Sequence, residues 1–433
     1  MGNWKEYYYS HCVTADEAVS HVKSGDKIVD GHGCCRGVAL SKALVRRAGV
    51  LRDVKICSGS SYGDADYLDA KYQDSFTFYS MFNSPVTRSA YFEGRAEFIP
   101  VPFSQQDAFI TAWQPDVFFC SVTPPNEEGF VSMSLSVDFT RAALDAAKTV
   151  IVQVNENLPW TNGDAVVPVT DIDYFVVQAD PIPEVPVSTN PGEIDQAIAK
   201  NVASLIEDGD TIQIGTGTVP DQVLKLLYGH KHIGLHSEMG TSGMMDLIQR
   251  GVVDNSKKTL DRGKSIFTVL GGTQEFYRFL DHNPDIEMRR SAYVTNPLVI
   301  AQQRNMVTVN AAIEVDLYGQ IAADMMGRKQ FSGVGGQLDF MRGAAMAEGG
   351  RPIICMTSTA AKGKVSRITA TLKEGAAVTD TRYDARFIVT EYGVADLKNK
   401  TVRERAMALV NIAHPDFREG LEREYFEKIH KVI

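Results

Sequence analysis

Gly25-Asp26-Lys27-Ile28-Val29-Asp30-Gly31-His32-Gly33 is matched in the second half of the chain by Gly209-Asp210-Thr211-Ile212-Gln213-Ile214-Gly215-Thr216-Gly217. Both stretches predict a strand that runs into a glycine turn. Each copy continues into a helical pattern, Val38 to Leu44 in the first and Val219 to Leu227 in the second. A short apolar run follows each helix, Val54-Lys55-Ile56-Cys57 and Ile233-Gly234-Leu235-His236. Strand, glycine turn, helix and strand is the pattern of a βαβ unit in a parallel sheet. The repeat therefore predicts an α/β protein with two similar open α/β domains in tandem.

Further strands are expected at 150–154, 174–177, 265–270, 306–309, 352–356 and 387–389. The join falls in PIPEVPVSTNPGEID at 181–195, where four prolines gather with Ser, Thr, Asn and Gly after the apolar run Tyr174-Phe175-Val176-Val177. The expected domains are 1–185 and 186–433.

With 433 residues, 44% hydrophobic and 23% charged, the composition is that of a globular enzyme of about two domains. The chain lacks a run of the roughly 18 to 20 apolar residues that a membrane span needs. The opening MGNWKEYYYSHC has no apolar signal region, so a cytoplasmic location without a membrane partner is expected. Six cysteines without a CxxC pair argue against a disulfide framework or a zinc site. A net charge of -10, with no basic run carrying interleaved aromatics, argues against a nucleic-acid partner.

Three constellations could carry chemistry. Gly215-Thr216-Gly217-Thr218-Val219-Pro220 follows a strand and opens a helix, so backbone N–H groups and the helix N-terminus can approach an anionic ligand. The same turn could equally connect strand and helix with no ligand. His236-Ser237-Glu238-Met239 ends the next strand and puts a carboxylate where open α/β sheets bind ligands. A helix is expected from about Met244. Taken alone, Glu238 could be an ordinary loop glutamate. Gly333-Val334-Gly335-Gly336 packs three glycines into four positions, which suits either an oxyanion site or a plain tight turn. Asn310, at the end of the strand that reaches Val309, can offer an amide at the same sheet edge.

A glycine turn with an acid about 20 residues later also describes a dinucleotide site. Glu238 would then hold a ribose, but Pro220 replaces the third glycine of that fingerprint. A metal site at His230, His232 and His236 has no supporting motif, and no GxSxG elbow supports a serine hydrolase.

Together GTGTVPDQVL, GLHSEMGTSGMMDL, NAAIEVDLYGQ and SGVGGQLDFMRGA resemble the 4-hydroxybutyrate CoA-transferase branch of the acetyl-CoA hydrolase/transferase family. SVTPPNEEGFVSMSLSVDFTRAAL, VNENLPWTNGD and IAHPDFREGLEREY extend the resemblance over nearly the whole chain. It implies the CoA-transferase fold, with Glu238 as nucleophile in the second domain and Asn310 at the active site. It also implies that Gly215, Thr216, Gly217, Thr218, Val219, Ile313 and Gly336 contact coenzyme A, and that the N–H near Gly336 serves the oxyanion. Thr216 stands where Ile is common, and Gly240-Thr241 replace a bulkier, more acidic pair.

The resemblance implies exchange of CoA between acetyl-CoA and short acids, 4-hydroxybutyrate foremost, through a glutamyl-CoA thioester. Coenzyme A is then a substrate, with no tightly bound cofactor and no metal. Acyl-CoA and short-chain carboxylic acids are the partners, and a homodimer or higher homo-oligomer is expected. The alternatives are a butyryl-CoA or propionyl-CoA:acetate CoA-transferase, an acetyl-CoA hydrolase, an NAD-dependent oxidoreductase and a non-catalytic binding protein.

Overall fold

The computed structural model describes residues 4–60, 65–185 and 190–430. Residues 186–189, at the expected domain join, lie outside the described residues. The chain forms two compact units, Met1–Pro186 with Ile266–Val294, and Val187–Ser265 with Thr295–Ile433. The stretch 266–294 was expected with the second half and instead packs with the first. Its strand Ile286–Met288 pairs in parallel with Asn162–Gly163, while Leu270 N–H donates to the Leu135 carbonyl at 2.8 Å. Local hydropathy carries no signal of such non-local pairing.

The first unit holds a parallel sheet of seven strands: β1 (Lys27–Asp30), β2 (Val54–Ser58), β3 (Phe76–Ser80), β4 (Ala96–Phe98), β5 (Val117–Val122), β6 (Thr149–Val154) and β7 (Tyr174–Val177). Their order across the sheet is β7-β6-β5-β1-β2-β3-β4, all pairs being parallel. The second unit holds β8 (Thr211–Ile214), β9 (Gly234–Leu235), β10 (Met306–Ala311), β11 (Arg351–Cys355), β12 (Phe387–Thr390) and β13 (Gly393–Asp396). Here the order is β9-β8-β10-β11-β12-β13, parallel except for the last pair. In each sheet the repeat supplies the strand at which the order reverses, β1 in one and β8 in the other. Such a switch point leaves a crevice at the carboxyl ends of the strands, where open α/β sheets take ligands.

The conserved wording of the two copies has a local cause. Gly25 and Gly209 adopt φ of 86° and 83°, a left-handed conformation that costs a glycine nothing. The next residue then closes the turn: Asp26 accepts from Lys23 N–H at 2.7 Å and Asp210 from Glu207 N–H at 2.6 Å. The helix after each strand is α1 (Val38–Arg46) or α2 (Thr218–Leu226). Leu40, Ala43 and Leu44 of α1 are buried, as are Val223 and Leu224 of α2, as the 3.6-residue spacing of the apolar positions requires.

Ile28, Leu40, Leu44, Val54, Ile56 and Phe119 belong to one core cluster of the first unit. In the second unit Ile354 and Ile388, from neighbouring strands, pack in a cluster with Met341 and Leu409. Ile354→Ala should therefore cost about 2 to 5 kcal/mol through lost burial and an unfilled cavity. Thermal and urea unfolding should show a lowered midpoint; a midpoint unchanged from the parent would contradict the packing described.

Candidate active site

At the switch point of the second sheet the carboxyl ends of β8 and β10 lie side by side. Gly215 N–H donates to the Val309 carbonyl at 3.1 Å and carries the pairing one residue past β8. Gln213 and Asn310 exchange two amide hydrogen bonds, Nε2 to Oδ1 at 3.2 Å and Nδ2 to Oε1 at 3.1 Å. The Asn310 amide is thereby held flat against its neighbour strand. Thr216 and Gly217 stand exposed at the turn, Gly217 with φ 130°, and Thr218 and Val219 open α2.

Glu238 follows β9 on a well-anchored segment. Leu235 N–H donates to Asn255 Oδ1 at 2.9 Å, and the Leu235 carbonyl accepts from Lys258 Nζ at 2.8 Å. Lys258 is fully buried and also donates to the Lys264 carbonyl at 2.7 Å. His236 N–H reaches the Ile212 carbonyl at 3.2 Å, and its buried ring meets Phe340 edge to face at 6.3 Å between centroids. Glu238 itself is half-buried. The helix after it, α3 (Ser242–Gln249), begins two residues before the expected Met244, since Thr241 in an extended conformation takes the N-cap position.

The glycine-rich turn meets Glu238 directly. Gly336 N–H donates to Glu238 Oε2 at 2.7 Å, the length of a charge-assisted bond. Gly336 is also the N-cap of α4 (Gln337–Met346), so the carboxylate lies at a helix N-terminus, where negative charge is favoured. Any Cβ at Gly336 would overlap the Glu238 carboxylate and press on Thr295 Cγ2 at 3.0 Å. Of the three glycines in this turn, it is Gly336 whose N–H bonds to the carboxylate.

Two residues that sequence reasoning did not single out steady the site, one beside the Gly336 contact and one at Asn310. Gln337 Nε2 donates to Asp380 Oδ2 at 2.6 Å, tying the first turn of α4 to a side chain with no exposed surface. Burial, with the charges of Asp384 and Asp324, pushes the Asp380 carboxyl up to about 7, against the opposing Gln337 hydrogen bond and Arg342. Gln213 is the other. A glutamine inside an apolar parallel strand was a readable signal, because a buried amide needs a partner.

Of the residues named from sequence, Glu238 and Gly336 touch, and Gly215 and Asn310 share the β8–β10 edge. Ile313 is fixed by its backbone, donating to the Ala322 carbonyl at 2.8 Å and accepting from Arg367 Nε at 2.9 Å. The histidines have separate partners: His230 Nε2 lies 3.2 Å from the Ile206 carbonyl and His232 Nδ1 lies 2.7 Å from Asp254. Among the described residues no group of three or more His, Cys, Asp or Glu could hold a metal ion. A half-buried carboxylate that accepts from the Gly336 N–H, beside a glycine turn at a helix start, is equipped to attack an electrophilic carbonyl near an anionic ligand.

Residues 2–187 match the model of the acetyl-CoA hydrolase/transferase N-terminal domain, and residues 272–425 that of the acetyl-CoA hydrolase/transferase C-terminal domain. The 4-hydroxybutyrate coenzyme A transferase of Clostridium kluyveri is 43% identical over 424 residues, 98% of this chain and 99% of that protein. Among solved structures, RipA from Yersinia pestis superposes with a TM-score of 0.94 at 34% identity, covering 99% of each chain. A 4-hydroxybutyrate CoA-transferase from Porphyromonas gingivalis gives 0.85 at 35% identity, covering 99% of this chain and 100% of that one.

The raised Asp380 carboxyl makes a signed prediction about stability. A carboxyl near 3.8 when unfolded and near 7 when folded contributes stability that is complete below the lower value and is lost as pH rises to the upper. Asp380→Asn keeps an oxygen for Gln337 and cannot ionise. Its thermal midpoint relative to the parent should therefore climb between pH 4 and pH 8. A difference that does not change with pH would show that Asp380 titrates normally.

Proposed function

The chain belongs to the acetyl-CoA hydrolase/transferase family, and on that premise we propose that it exchanges CoA between acetyl-CoA and short carboxylic acids, 4-hydroxybutyrate foremost. Support comes chiefly from one observation, the Glu238 carboxylate held at 2.7 Å by Gly336 N–H at a sheet edge beside a glycine turn. The Clostridium kluyveri relative, which is named for 4-hydroxybutyrate, is similar over 98% of the chain.

In this reading Glu238 attacks the acyl-CoA thioester, giving a mixed anhydride and a CoA thiolate. The thiolate attacks the glutamyl carbonyl, releasing the first acid and leaving a glutamyl-CoA thioester. A second acid reverses both steps and departs as the new acyl-CoA. One thioester replaces another, so the exchange is nearly thermoneutral. Each attack places negative charge on a carbonyl oxygen, and Gly336 N–H is the donor proposed to receive it. Gly215, Thr216, Gly217, Thr218, Val219 and Ile313 are proposed to contact CoA, whose remote nucleotide part supplies binding energy that offsets strain at the reacting carbonyl. Asn310 is proposed to present its side chain at the same edge.

Acyl-CoA and short acids are the proposed partners, with coenzyme A a substrate rather than a tightly bound cofactor. Among the described residues no helix is long and apolar enough to cross a membrane. A cytoplasmic location, and assembly as a homodimer or higher homo-oligomer, are part of the same reading.

A panel of acyl-CoA donors against two- to four-carbon acids, with mass spectrometry of the products, tests the reading. New acyl-CoA should form only with an acceptor acid, and 4-hydroxybutyrate should react at least comparably to butyrate. A butyrate preference of about a hundredfold or more, at or above the upper end of what one small group commands in an apolar pocket, would favour a butyryl-CoA:acetate enzyme. Thioester loss to water at the same rate without acceptor would instead indicate a hydrolase.

Glu238→Gln should fold and lose transfer, with double-reciprocal plots for the parent enzyme parallel because the first acid leaves before the second binds. Near-parental turnover in the variant would remove Glu238 from the mechanism. Gly336→Val should lower turnover by about 10² to 10³, the loss expected when an oxyanion donor is displaced. An unchanged rate would put that donor elsewhere.

A further inference from the structure

The first unit carries its own glycine turn at its own switch point, and the residue inside it is chemically different. Where the second copy has exposed Thr216 between its glycines, the first has His32, only 5% exposed. Its ring lies 5.5 Å from that of Phe139 and 6.1 Å from that of Phe103, centroid to centroid. Gly59, just after β2, leaves the room: a Cβ there would sit 2.9 Å from the Cδ2 and Nε2 atoms of the ring.

Both ring nitrogens are engaged. Nδ1 bonds to Oδ2 of Asp138, which is fully buried, and Nε2 lies 3.0 Å from Ser60 Oγ. Asp138 is in turn fixed by Ser136 Oγ–H at 3.1 Å on Oδ2 and Thr140 N–H at 3.1 Å on Oδ1. A carboxylate that only accepts requires the proton of a neutral imidazole to be on Nδ1. Nε2 is then the acceptor, so Ser60 donates its hydroxyl proton to it and keeps its oxygen lone pairs free to react. The Ser60 backbone is held as well, its carbonyl accepting from Gly33 N–H at 3.0 Å. Ser60 is half-buried, unlike the two groups behind it. Burying a histidine and a carboxylate side by side is costly, and apolar packing between two phenylalanines would serve stability as well.

We propose that Ser60, His32 and Asp138 form a nucleophilic relay, separate from Glu238 in chemistry, through which Ser60 accepts an acyl group from a small activated ester. Ser60 Oγ attacks the ester carbonyl carbon while its proton passes to His32 Nε2, and Asp138 stabilises the imidazolium. The carbon–oxygen bond to the leaving group breaks, the leaving group departs as its anion, and His32 returns the proton to solvent. With p-nitrophenyl acetate, whose nitrophenolate leaves readily, a nucleophile and its base are enough for this step. The acyl-serine then accumulates as a burst.

The test uses full-length protein carrying Glu238→Gln, so that the glutamate cannot contribute, with p-nitrophenyl acetate as the probe. One equivalent of nitrophenolate per chain should appear rapidly, and peptide mapping should find the acetyl group on Ser60. Ser60→Ala, with unchanged far-UV circular dichroism, should reduce the burst by roughly tenfold or more. Asp138→Asn, which keeps the side-chain volume, should slow acylation by about 10² to 10⁴ by reversing the histidine tautomer. Absence of a burst, an acetyl group found on a cysteine or lysine, or a burst that survives Ser60→Ala would each overturn the proposal.

Discussion

One hydrogen bond, from Gly336 N–H to Glu238 Oε2, joins segments 98 residues apart and fixes where the carboxylate can be. A bond of this kind to a charged group is worth about 1.5 to 3 kcal/mol, enough to hold one rotamer but too little to hold two wandering loops. Both ends are therefore anchored independently. On the Glu238 side, buried Lys258 and Asn255 pin Leu235. On the Gly336 side, Asp380 holds Gln337, while its own backbone exchanges hydrogen bonds with Ile321. The absence of a side chain at Gly336 is what permits the contact, since any Cβ would occupy the carboxylate's place.

The two sheets show how one βαβ plan is put to different uses at its two edges. At the amino ends the copies are chemically alike. Gly25-Asp26 and Gly209-Asp210 make the same turn, and their glycine N–H groups donate to Arg52 and Lys231 carbonyls at 2.9 and 3.0 Å. At the carboxyl ends they diverge. Asp30 in the first copy is paired with buried Arg36 at 2.8 Å, whereas Ile214 stands at the matching position in the second. The first edge thus carries buried polar networks behind half-buried Ser60, and the second leaves its glycine turn exposed beside a paired amide and a carboxylate.

How far the sequence could be read depended on the range of the interaction involved. The repeat, the glycine turns and the strand periods depend on neighbouring residues, so the switch-point strands β1 and β8, their partners β2 and β9, and β6, β7 and β10 to β12 were legible, while β3, β4, β5 and β13 were not read. The fold class follows from them, and similarity to two solved structures over 99% of this chain agrees. The return of 266–294 to the first unit was not legible, because it rests on pairing with residues more than a hundred positions earlier. Glu238, Gly336 and Asn310 could be nominated by residue type and by resemblance. Their partners were harder: nothing local marks Asp380 as the residue that steadies Gln337, and Ser60 gains its character only from His32 and Asp138, which are distant in sequence. Gln213 was the exception, a polar residue misplaced in an apolar strand and so visible in advance.

The proposed exchange requires Glu238 to become covalently linked to coenzyme A. The most direct measurement is to mix the protein with acetyl-CoA in the absence of an acceptor acid, quench in acid, digest and map the peptides by mass spectrometry. The peptide bearing Glu238 should carry the mass of CoA less one water, and a later chase with a short-chain acid before quenching should remove it. A Glu238 peptide that remains unmodified, or a CoA adduct on any other residue, would contradict the account.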